Sequence, residues 1–228
     1  MMGYIAVAID GPSGAGKSTI ARAVAARLGY VYVDTGAMYR AIGLAVSRRG
    51  IDGTDADGIA AVLPSIAVEL VYQDGAQHVL LNGEDVSAAI RTSAISRYAS
   101  QVSAVPAVRQ FLLETQRDMA RKGDILMDGR DIGTVILPDA PVKIFLTASA
   151  ETRADRRYRE LREKGQDVQY EDVLHDVVER DRQDMTRATA PLRQAADAVL
   201  LDTSELTLEQ SIEAVLQIIQ DKTGETYI

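Results

Sequence analysis

The stretch from residue 11 to residue 19 has the residue types and the spacing of a phosphate-binding loop. Its sequence, GPSGAGKST, fits the pattern G-x-x-x-x-G-K-[ST] and lies between an apolar run and a segment with helical spacing. Glycines let backbone N–H groups turn toward phosphate oxygens, and the N-terminus of the following helix adds a positive dipole end. The alternative, a glycine-rich turn without a ligand, leaves the lysine and the hydroxyl unexplained. We therefore predict nucleoside triphosphate binding by Gly11, Pro12, Ser13, Gly14, Ala15, Gly16, Lys17, Ser18 and Thr19.

Two side chains of this loop have predicted chemical roles. Lys17 is expected to reach the β- and γ-phosphates, and the hydroxyl of Ser18 is expected to ligate Mg²⁺. Asp128, at the end of a later predicted strand, could orient the same ion through water or serve the structure alone. The motif does not indicate which molecule receives the phosphoryl group.

Arginines near the ends of predicted strands indicate a second anion-binding site. Arg40 follows the second predicted strand and Arg130 follows the third. Arg180, Asp184 and Arg187 are spaced i, i+4 and i+7, so one helix face carries all three. Taken alone, that helix is better explained as a solvent-exposed surface with ion pairs. When this helix is considered together with Arg40 and Arg130 at the strand ends, the four arginines favour a phosphate-binding site.

The helix predicted over residues 151–164 is also rich in charge. Arg153, Arg156 and Arg157 span one of its turns and could form the edge of a lid over the transferred phosphoryl group. A solvent-exposed position accounts equally well for any one of them.

Predicted strands and helices alternate along most of the chain, which favours an α/β fold with a parallel five-stranded sheet covered by helices on both faces. Ligands of such sheets lie at the carboxyl ends of the strands. The predicted strands are residues 4–9, 30–33, 125–128, 142–147 and 198–202. The predicted helices after the loop are 20–28, 37–49, 92–122 with a break near Pro106, 151–164 capped by Ser149, 171–187, and a last one capped by Thr203 or Ser204 and ending near Asp221.

Residues 64–90 do not continue this succession of strands and helices. Residues 66–73 alternate between apolar and polar side chains, and Asp74-Gly75 and Asn82-Gly83 are typical of tight turns. A small antiparallel β insertion is therefore predicted here. Residues 51–58 are predicted to be a loop, and Val108, Phe111, Leu112 and Met119 have the spacing of core residues.

Composition narrows the class of protein. At 228 residues, one domain with insertions is expected. No apolar run approaches the roughly 18 residues of a membrane span, and the N-terminus lacks the layout of a signal peptide. There is no cysteine, so disulfides and thiolate metal sites are excluded. We expect a soluble cytoplasmic protein without a membrane partner. The net charge of −8 argues against a nucleic-acid partner.

Several stretches, taken in order along nearly the whole chain, resemble the bacterial cytidylate kinases, a family of P-loop nucleoside monophosphate kinases. They are DGPSGAGK at 10–17, DTGAMYR at 34–40, GEDVS at 83–87, Ile90-Arg91, DGRDIGT at 128–134, PDAPVKIF at 138–145, and the segment from ERD at 179–181 to APL at 190–192. The resemblance implies transfer of the γ-phosphoryl group of ATP to CMP or dCMP, with Mg²⁺ as cofactor, by a monomer. Ser18 departs from the glycine of many members, but it offers the ion an oxygen ligand.

The resemblance also implies an organisation and a set of site residues. A single P-loop kinase domain would have its core at about 1–63, 92–150 and 188–228, an acceptor-binding β insertion at about 64–91 and a lid at about 151–187. The implied catalytic residues are Lys17, Arg130, Arg153, Arg157 and Arg187. The acceptor phosphate would be held by Arg40, Arg130, Arg187 and Tyr39, the ribose pocket would be formed by Arg180, Asp184 and Thr35, and cytosine would be recognised by Ser100, Arg109 and Asp131.

The residues assigned to cytosine suit its chemistry. A carboxylate accepts a hydrogen bond from the N4 amino group, whereas uracil presents an oxygen there, which by analogy with base recognition in DNA discriminates by about 1–3 kcal/mol. Without the resemblance, Ser100 is better explained as a helix-surface hydroxyl and Arg109 as a solvated arginine, and Asp131 has the alternative of a loop or cap carboxylate.

The predicted reaction needs no general base, because a phosphate acceptor with a second pKa of about 6 is largely dianionic at neutral pH. His78 and His175, the only histidines, are accordingly expected to be structural or exposed. A UMP/CMP kinase of broader specificity and another small-molecule P-loop kinase, such as shikimate kinase, remain as alternatives. A nucleotide-binding switch is disfavoured, because the only asparagine, Asn82, is not followed by lysine.

Overall fold

The structure, a computed structural model, describes residues 4–73 and 76–225. Its strands are β1 Ala6–Asp10, β2 Val31–Asp34, β3 Val68–Gln73, β4 Ala76–Leu81, β5 Glu84–Asp85, β6 Ile125–Gly129, β7 Val142–Thr147 and β8 Val199–Asp202. Its helices are α1 Lys17–Leu28, α2 Thr35–Arg48, α3 Ala56–Val62, α4 Ser93–Ser103, α5 Pro106–Ala120, α6 Ala150–Glu163, α7 Tyr170–Thr186 and α8 Leu208–Thr223. Short 3₁₀ turns span Leu63–Ser65 and Ala89–Arg91, and a π-helical turn spans Ile132–Ile136.

The chain forms two compact units, one of Met1–Tyr32 with Gly123–Ile228 and the other of Val33–Lys122. The predicted five-stranded sheet is confirmed, with strand order β2-β6-β1-β7-β8. In the first unit, the central strand β1 pairs in parallel with β6 on one side and β7 on the other. Apolar side chains of α1 and α8, including Val24 and Val215, pack in one cluster with those of β1, including Val7 and Ile9. The carboxyl end of β1 is thereby fixed where the glycine-rich loop begins.

The second unit has its own core. The antiparallel sheet β3-β4-β5 confirms the predicted β insertion, with Val68 opposite Leu81. Its buried apolar residues join those of α2 to α5 in one cluster, which includes Ile42, Ile59 and Leu112. The compact unit is therefore larger than residues 64–91. The division of the chain into core, acceptor-binding insertion and lid stays a prediction.

One of the two turns predicted for the insertion lies within the described residues. Asn82 and Gly83 form a turn with φ angles of 50° and 82°, the left-handed region that suits glycine and asparagine. The turn predicted at Asp74-Gly75 lies outside the described residues.

Helix ends provide the main corrections to the predicted elements. Helix α3, which lies partly in the predicted 51–58 loop, begins after Asp55, whose side chain accepts a hydrogen bond from the backbone N–H of Gly58. Helix α8 is capped by Thr207, with Gln210 completing a capping box, rather than by Thr203 or Ser204. It continues past Asp221 to Thr223.

The core predicted for α5 is confirmed with one exception. Val108 and Leu112 are buried, and Met119 packs against the same cluster, whereas Phe111 is exposed. Among the described residues, no helix is long and apolar enough to cross a membrane.

Candidate active site

The loop after β1 has a backbone that depends on glycine. A Cβ at Gly11 would lie 1.9 Å from the carbonyl oxygen of Leu146, so no larger residue fits there without moving β7. Gly14 and Gly16 have φ angles of 76° and 87°, and Gly16 precedes the first residue of α1. The Nζ of Lys17 donates a hydrogen bond to the carbonyl of Pro12 at 2.7 Å, so the loop curls around its own lysine. A loop of this shape suits the phosphate chain of a nucleotide, and this role of the loop stays a prediction.

Lys17 is buried without full compensation of its charge. Burial and, to a smaller extent, the nearby Arg130 guanidinium lower its pKa to about 7, against the raising effects of Asp128, Asp184 and Asp10. A bound polyphosphate would supply the negative charge that favours the protonated ammonium. The loop is therefore electrostatically suited to an anion.

The side-chain oxygens of Ser18, on α1, and Asp128, on β6, lie next to each other and could act as metal ligands. The hydroxyl of Ser18 donates to Oδ2 of Asp128 at 2.9 Å, and the hydroxyl of Tyr32 donates to Oδ1 at the same distance. Mg²⁺ usually takes one or two protein oxygens together with substrate phosphates and water. In the described parts of the chain, no cluster of three or more acidic, histidine or cysteine residues could hold a metal by itself. The Ser18–Asp128 pair fits a magnesium ion that is shared with a nucleotide.

A network of arginines and carboxylates joins the loop after β6 to the end of α7. Nε of Arg130 donates to Oδ2 of Asp184 at 2.8 Å. Arg187 lies 3.8 Å from Asp184 and 3.7 Å from Asp131, with its side chain and both carboxylate partners buried. Burial would raise the pKa of Asp184, but Arg130 most strongly, then Arg180 and Arg187, hold it below its ordinary value. The alternative of a solvent-exposed helix face is therefore wrong for Asp184.

Arg187 corrects one detail of the predicted helix face. It follows the last residue of α7 with extended backbone angles of −60° and 141°, and its Nε donates to the carbonyl of Ala190 at 2.8 Å. Arg187 thus reaches Asp131 and Asp184 from the loop after the helix rather than from a third position on its face.

The arginines of α6 have distinct surroundings. Arg153 is buried and donates to the carbonyls of Ala148 and Ser13 at 2.9 and 3.0 Å, and it pairs with the carboxylate of Asp181 on α7. The structure therefore excludes a solvent-exposed Arg153. Arg157 lies partly buried and pairs with Glu160 on its own helix at 2.8 Å. The catalytic roles of both arginines stay predictions.

Arg156 lies at a cavity of about 260 Å³ beside the phosphate loop, which the sequence analysis did not predict. Its Nη2 donates to the carbonyl of Thr203 at 2.9 Å, and this fixes the guanidinium at the cavity wall. Two features of the sequence are related to this cavity: the basic turn of α6 and the position of Thr203 after the end of a strand. The cavity is lined by Gly16, Thr19, Ile20, Arg156, Thr203, Leu206, Leu208 and Ser211.

The second unit brings several other predicted site residues together. Asp34 caps α2 by accepting from the N–H of Ala37, and its other oxygen pairs with Arg40 at 2.7 Å. The guanidinium of Arg109 lies 5.5 Å from the ring centroid of Tyr39. Thr35, the first residue of α2, is buried.

Arg109 itself is buried and donates to the carbonyl of Ser103 at 3.1 Å, so the alternative of a solvated arginine is wrong. Ser100 is partly buried on α4, and its carbonyl accepts from the Ser103 hydroxyl. Nδ1 of His78 lies 2.8 Å from Asp85, and His175 is exposed, as predicted for histidines without a catalytic role.

Comparison with known proteins gives a consistent result. The model of the cytidylate kinase family matches residues 7–221. The chain is 49% identical over 223 residues to the cytidylate kinase of Caldicellulosiruptor saccharolyticus, covering 98% of this chain and 99% of that protein. It is 49% identical to the cytidylate kinase of Carboxydothermus hydrogenoformans, covering 95% and 97%. A crystal structure of an uncharacterized protein from Eubacterium ventriosum is similar in fold alone, with a TM-score of 0.54 at 12% identity, covering 96% and 99%.

Proposed function

The chain belongs to the cytidylate kinase family, and we propose that it transfers the γ-phosphoryl group of ATP to CMP or dCMP, giving ADP and CDP or dCDP. The observation that carries this proposal is the buried network of Arg130, Asp184, Arg187 and Asp131 next to Lys17 in the same unit. Guanidinium groups form charge-assisted hydrogen bonds with phosphate oxygens, so the arginines of this network are suited to bind a phosphate group.

The donor is assigned to the loop of residues 11–19. Backbone N–H groups and Lys17 hold the triphosphate, and the cavity beside Gly16 receives the adenine against Arg156 and the apolar side chains of Leu206 and Leu208. Ser18 and Asp128 would hold Mg²⁺, which when bound would neutralise part of the charge on the phosphate oxygens.

The acceptor residues are assigned by the family resemblance and supported by their local structure. In the first unit, Arg130 and Arg187 are proposed to hold the acceptor phosphate, Arg180 and Asp184 the ribose, and Asp131 the cytosine. In the second unit, Arg40 and Tyr39 are proposed for the phosphate, Thr35 for the ribose pocket, and Ser100 and Arg109 for the base. The assignment of Arg109 to the base is supported by its burial and by its position 5.5 Å from the ring centroid of Tyr39, because a buried guanidinium has a fixed direction.

The chemistry follows from positioning and charge. The acceptor phosphate is mostly dianionic at neutral pH and attacks without a general base. Lys17 and the arginines offset the charge of the transferred group, which is the main catalytic device in phosphoryl transfer. Arg157 is proposed to contribute from the predicted lid. A monomeric state and a cytoplasmic location stay predictions.

Product analysis tests the proposal. The protein is incubated with ATP, Mg²⁺ and CMP, and the nucleotides are separated by ion-exchange chromatography. CDP formed in equal amount to ADP supports a cytidylate kinase. ADP without CDP would show that water is the acceptor, and the absence of both would refute the activity.

A further inference from the structure

Asp10, the last residue of β1, makes a contact that the proposed reaction does not use directly. Its side chain is buried, with 5% of the residue exposed. Oδ1 accepts from the backbone N–H of Ile132 at 2.7 Å, and Oδ2 accepts from that of Gly133 at 2.8 Å. These are the first two N–H groups of the π-helical turn after β6. One carboxylate therefore caps this turn from a neighbouring strand, more than a hundred residues away in sequence.

Asp131 is the residue that would ordinarily provide this cap. It occupies the N-cap position of the turn, where an aspartate usually accepts from an N–H two or three residues ahead. The side chain of Asp131 makes no capping hydrogen bond, and Oδ1 lies 3.7 Å from Nη2 of Arg187. The cap from Asp10 leaves the Asp131 carboxylate directed to the arginine network instead of its own backbone.

Glycine at position 133 suits the close approach of the two segments. A Cβ there would lie 3.1 Å from the Lys143 side chain and 3.4 Å from Oδ2 of Asp10. β1 and β6 are adjacent parallel strands, with Asp10 opposite Gly129. The cap thus links the residue before the phosphate loop directly to the residues after Arg130 and Asp131.

We propose that Asp10 is a positioning residue that caps the turn after β6 and thereby fixes Asp131 and Arg130 for acceptor recognition. The inference rests on the proposed function, since the selectivity that it concerns is that of CMP binding. Asp10 itself is not among the residues proposed to bind either substrate. Its effect reaches the acceptor through the backbone of residues 131–133.

The test compares Asp10→Asn with Asp124→Asn. Asp124 is a matched control, because its Oδ1 accepts from the backbone N–H of Ile5 at 2.7 Å in the same unit and it belongs to no proposed site. Asparagine keeps one acceptor oxygen but turns an amide NH₂ toward the second backbone N–H, which weakens the cap without deleting the side chain. Asp10→Ala removes the cap entirely and serves as the second variant.

The readouts are kcat/KM for CMP and for UMP, KM for ATP, and amide hydrogen exchange at Ile132 and Gly133. Asp10→Asn should lower the ratio of kcat/KM for CMP to kcat/KM for UMP by roughly three- to tenfold, which is part of what one base contact contributes. KM for ATP should change less than about twofold. Both amides should exchange faster, and Asp124→Asn should match the wild type in all three readouts.

An unchanged CMP-to-UMP ratio in Asp10→Asn, or unchanged protection of both amides, would overturn the inference. An equal loss for CMP and UMP with a raised KM for ATP would also overturn it, because that pattern indicates a general structural role. A wild-type protein that does not phosphorylate CMP would refute the proposed function instead. The exchange measurement would then still decide whether Asp10 caps the turn.

Discussion

Arg130 and Asp184 form a partly buried ion pair, with Nε of the arginine 2.8 Å from Oδ2 of the aspartate. The pair joins the loop after β6 to α7, and Arg187 lies 3.8 Å from the other oxygen of the same carboxylate. One carboxylate therefore orients two guanidiniums. The phosphate of a nucleotide is proposed as a further anionic partner of these guanidiniums.

Removal of this carboxylate should destabilise the protein. Asp184→Ala leaves the partly buried Arg130 without its main partner, and we expect a loss of up to about 3 kcal/mol in the free energy of unfolding, measured with urea. Glu179→Gln on the same helix is the control, because Glu179 forms an exposed pair with Arg182 and should change stability little. Equal stability of the two variants would contradict a structural role for the Arg130–Asp184 pair.

Arg153 and Arg157 should respond differently to substitution. Arg153 is bonded to the carbonyl of Ser13 in the phosphate loop and to Asp181, so Arg153→Ala should lower the melting temperature and raise KM for ATP. The guanidinium of Arg157 pairs with Glu160 on its own helix. Arg157→Ala should instead lower kcat by at least about tenfold with the melting temperature nearly unchanged. Identical effects of both substitutions on kcat and stability would show that the two arginines share one role.

Asp131→Ala should impair the choice of base more than the binding of ATP. The carboxylate is proposed to accept from the cytosine N4 amino group, and its loss should reduce the CMP-to-UMP ratio of kcat/KM by roughly tenfold or more. KM for ATP should rise much less, because the donor lies at the phosphate loop. An unchanged ratio in steady-state assays would remove Asp131 from base recognition.

The stability of the protein should depend on the ionisation of Asp10. Burial raises its pKa to about 6 from 3.8, against the lowering effect of its two backbone hydrogen bonds. The native protein thus binds this proton more tightly than the unfolded chain, so this contribution to stability falls as pH rises between about 4 and 6. The shift in pKa corresponds to a change of about 3 kcal/mol at most in the free energy of unfolding.

Urea unfolding of the wild type and Asp10→Asn at pH 4, 5, 6 and 7 checks this dependence. The wild type should lose stability relative to the variant as pH rises through that range, because asparagine does not ionise. A difference that is the same at every pH would show that Asp10 is not the titrating group.

Much of the fold follows from local patterns. The glycine-rich loop, the strands of the main sheet and the start of α6 after Ser149 depend on motifs, caps and apolar runs that lie within a few residues. The Thr207–Gln210 capping box was also present in the sequence, but Thr203 and Ser204 lie closer to the preceding strand and were favoured instead. Thr203 is buried, and its hydroxyl donates to the carbonyl of Thr147 instead of capping α8.

The site was harder to predict because its contacts join distant residues. The bonds from Asp10 to Ile132 and Gly133, and from Arg153 to Ser13, span more than a hundred residues and leave no local pattern. The short helix α3 differs from the predicted loop because glycines and aspartates dominate its sequence, while the cap by Asp55 and the burial of Ile59 stabilise it. Sequence patterns indicated which residues carry charge, whereas packing decided which of them are buried.

The most direct measurement is a comparison of acceptors at saturating ATP and Mg²⁺. Initial rates of ADP formation are determined with CMP, dCMP, UMP, AMP and shikimate, each over a range of concentrations. Our account predicts that CMP and dCMP give the highest kcat/KM, with UMP at least roughly tenfold lower and AMP and shikimate near the rate without acceptor. Equal values for CMP and UMP would contradict cytosine selectivity, and a preference for AMP or shikimate would contradict the proposed acceptor altogether.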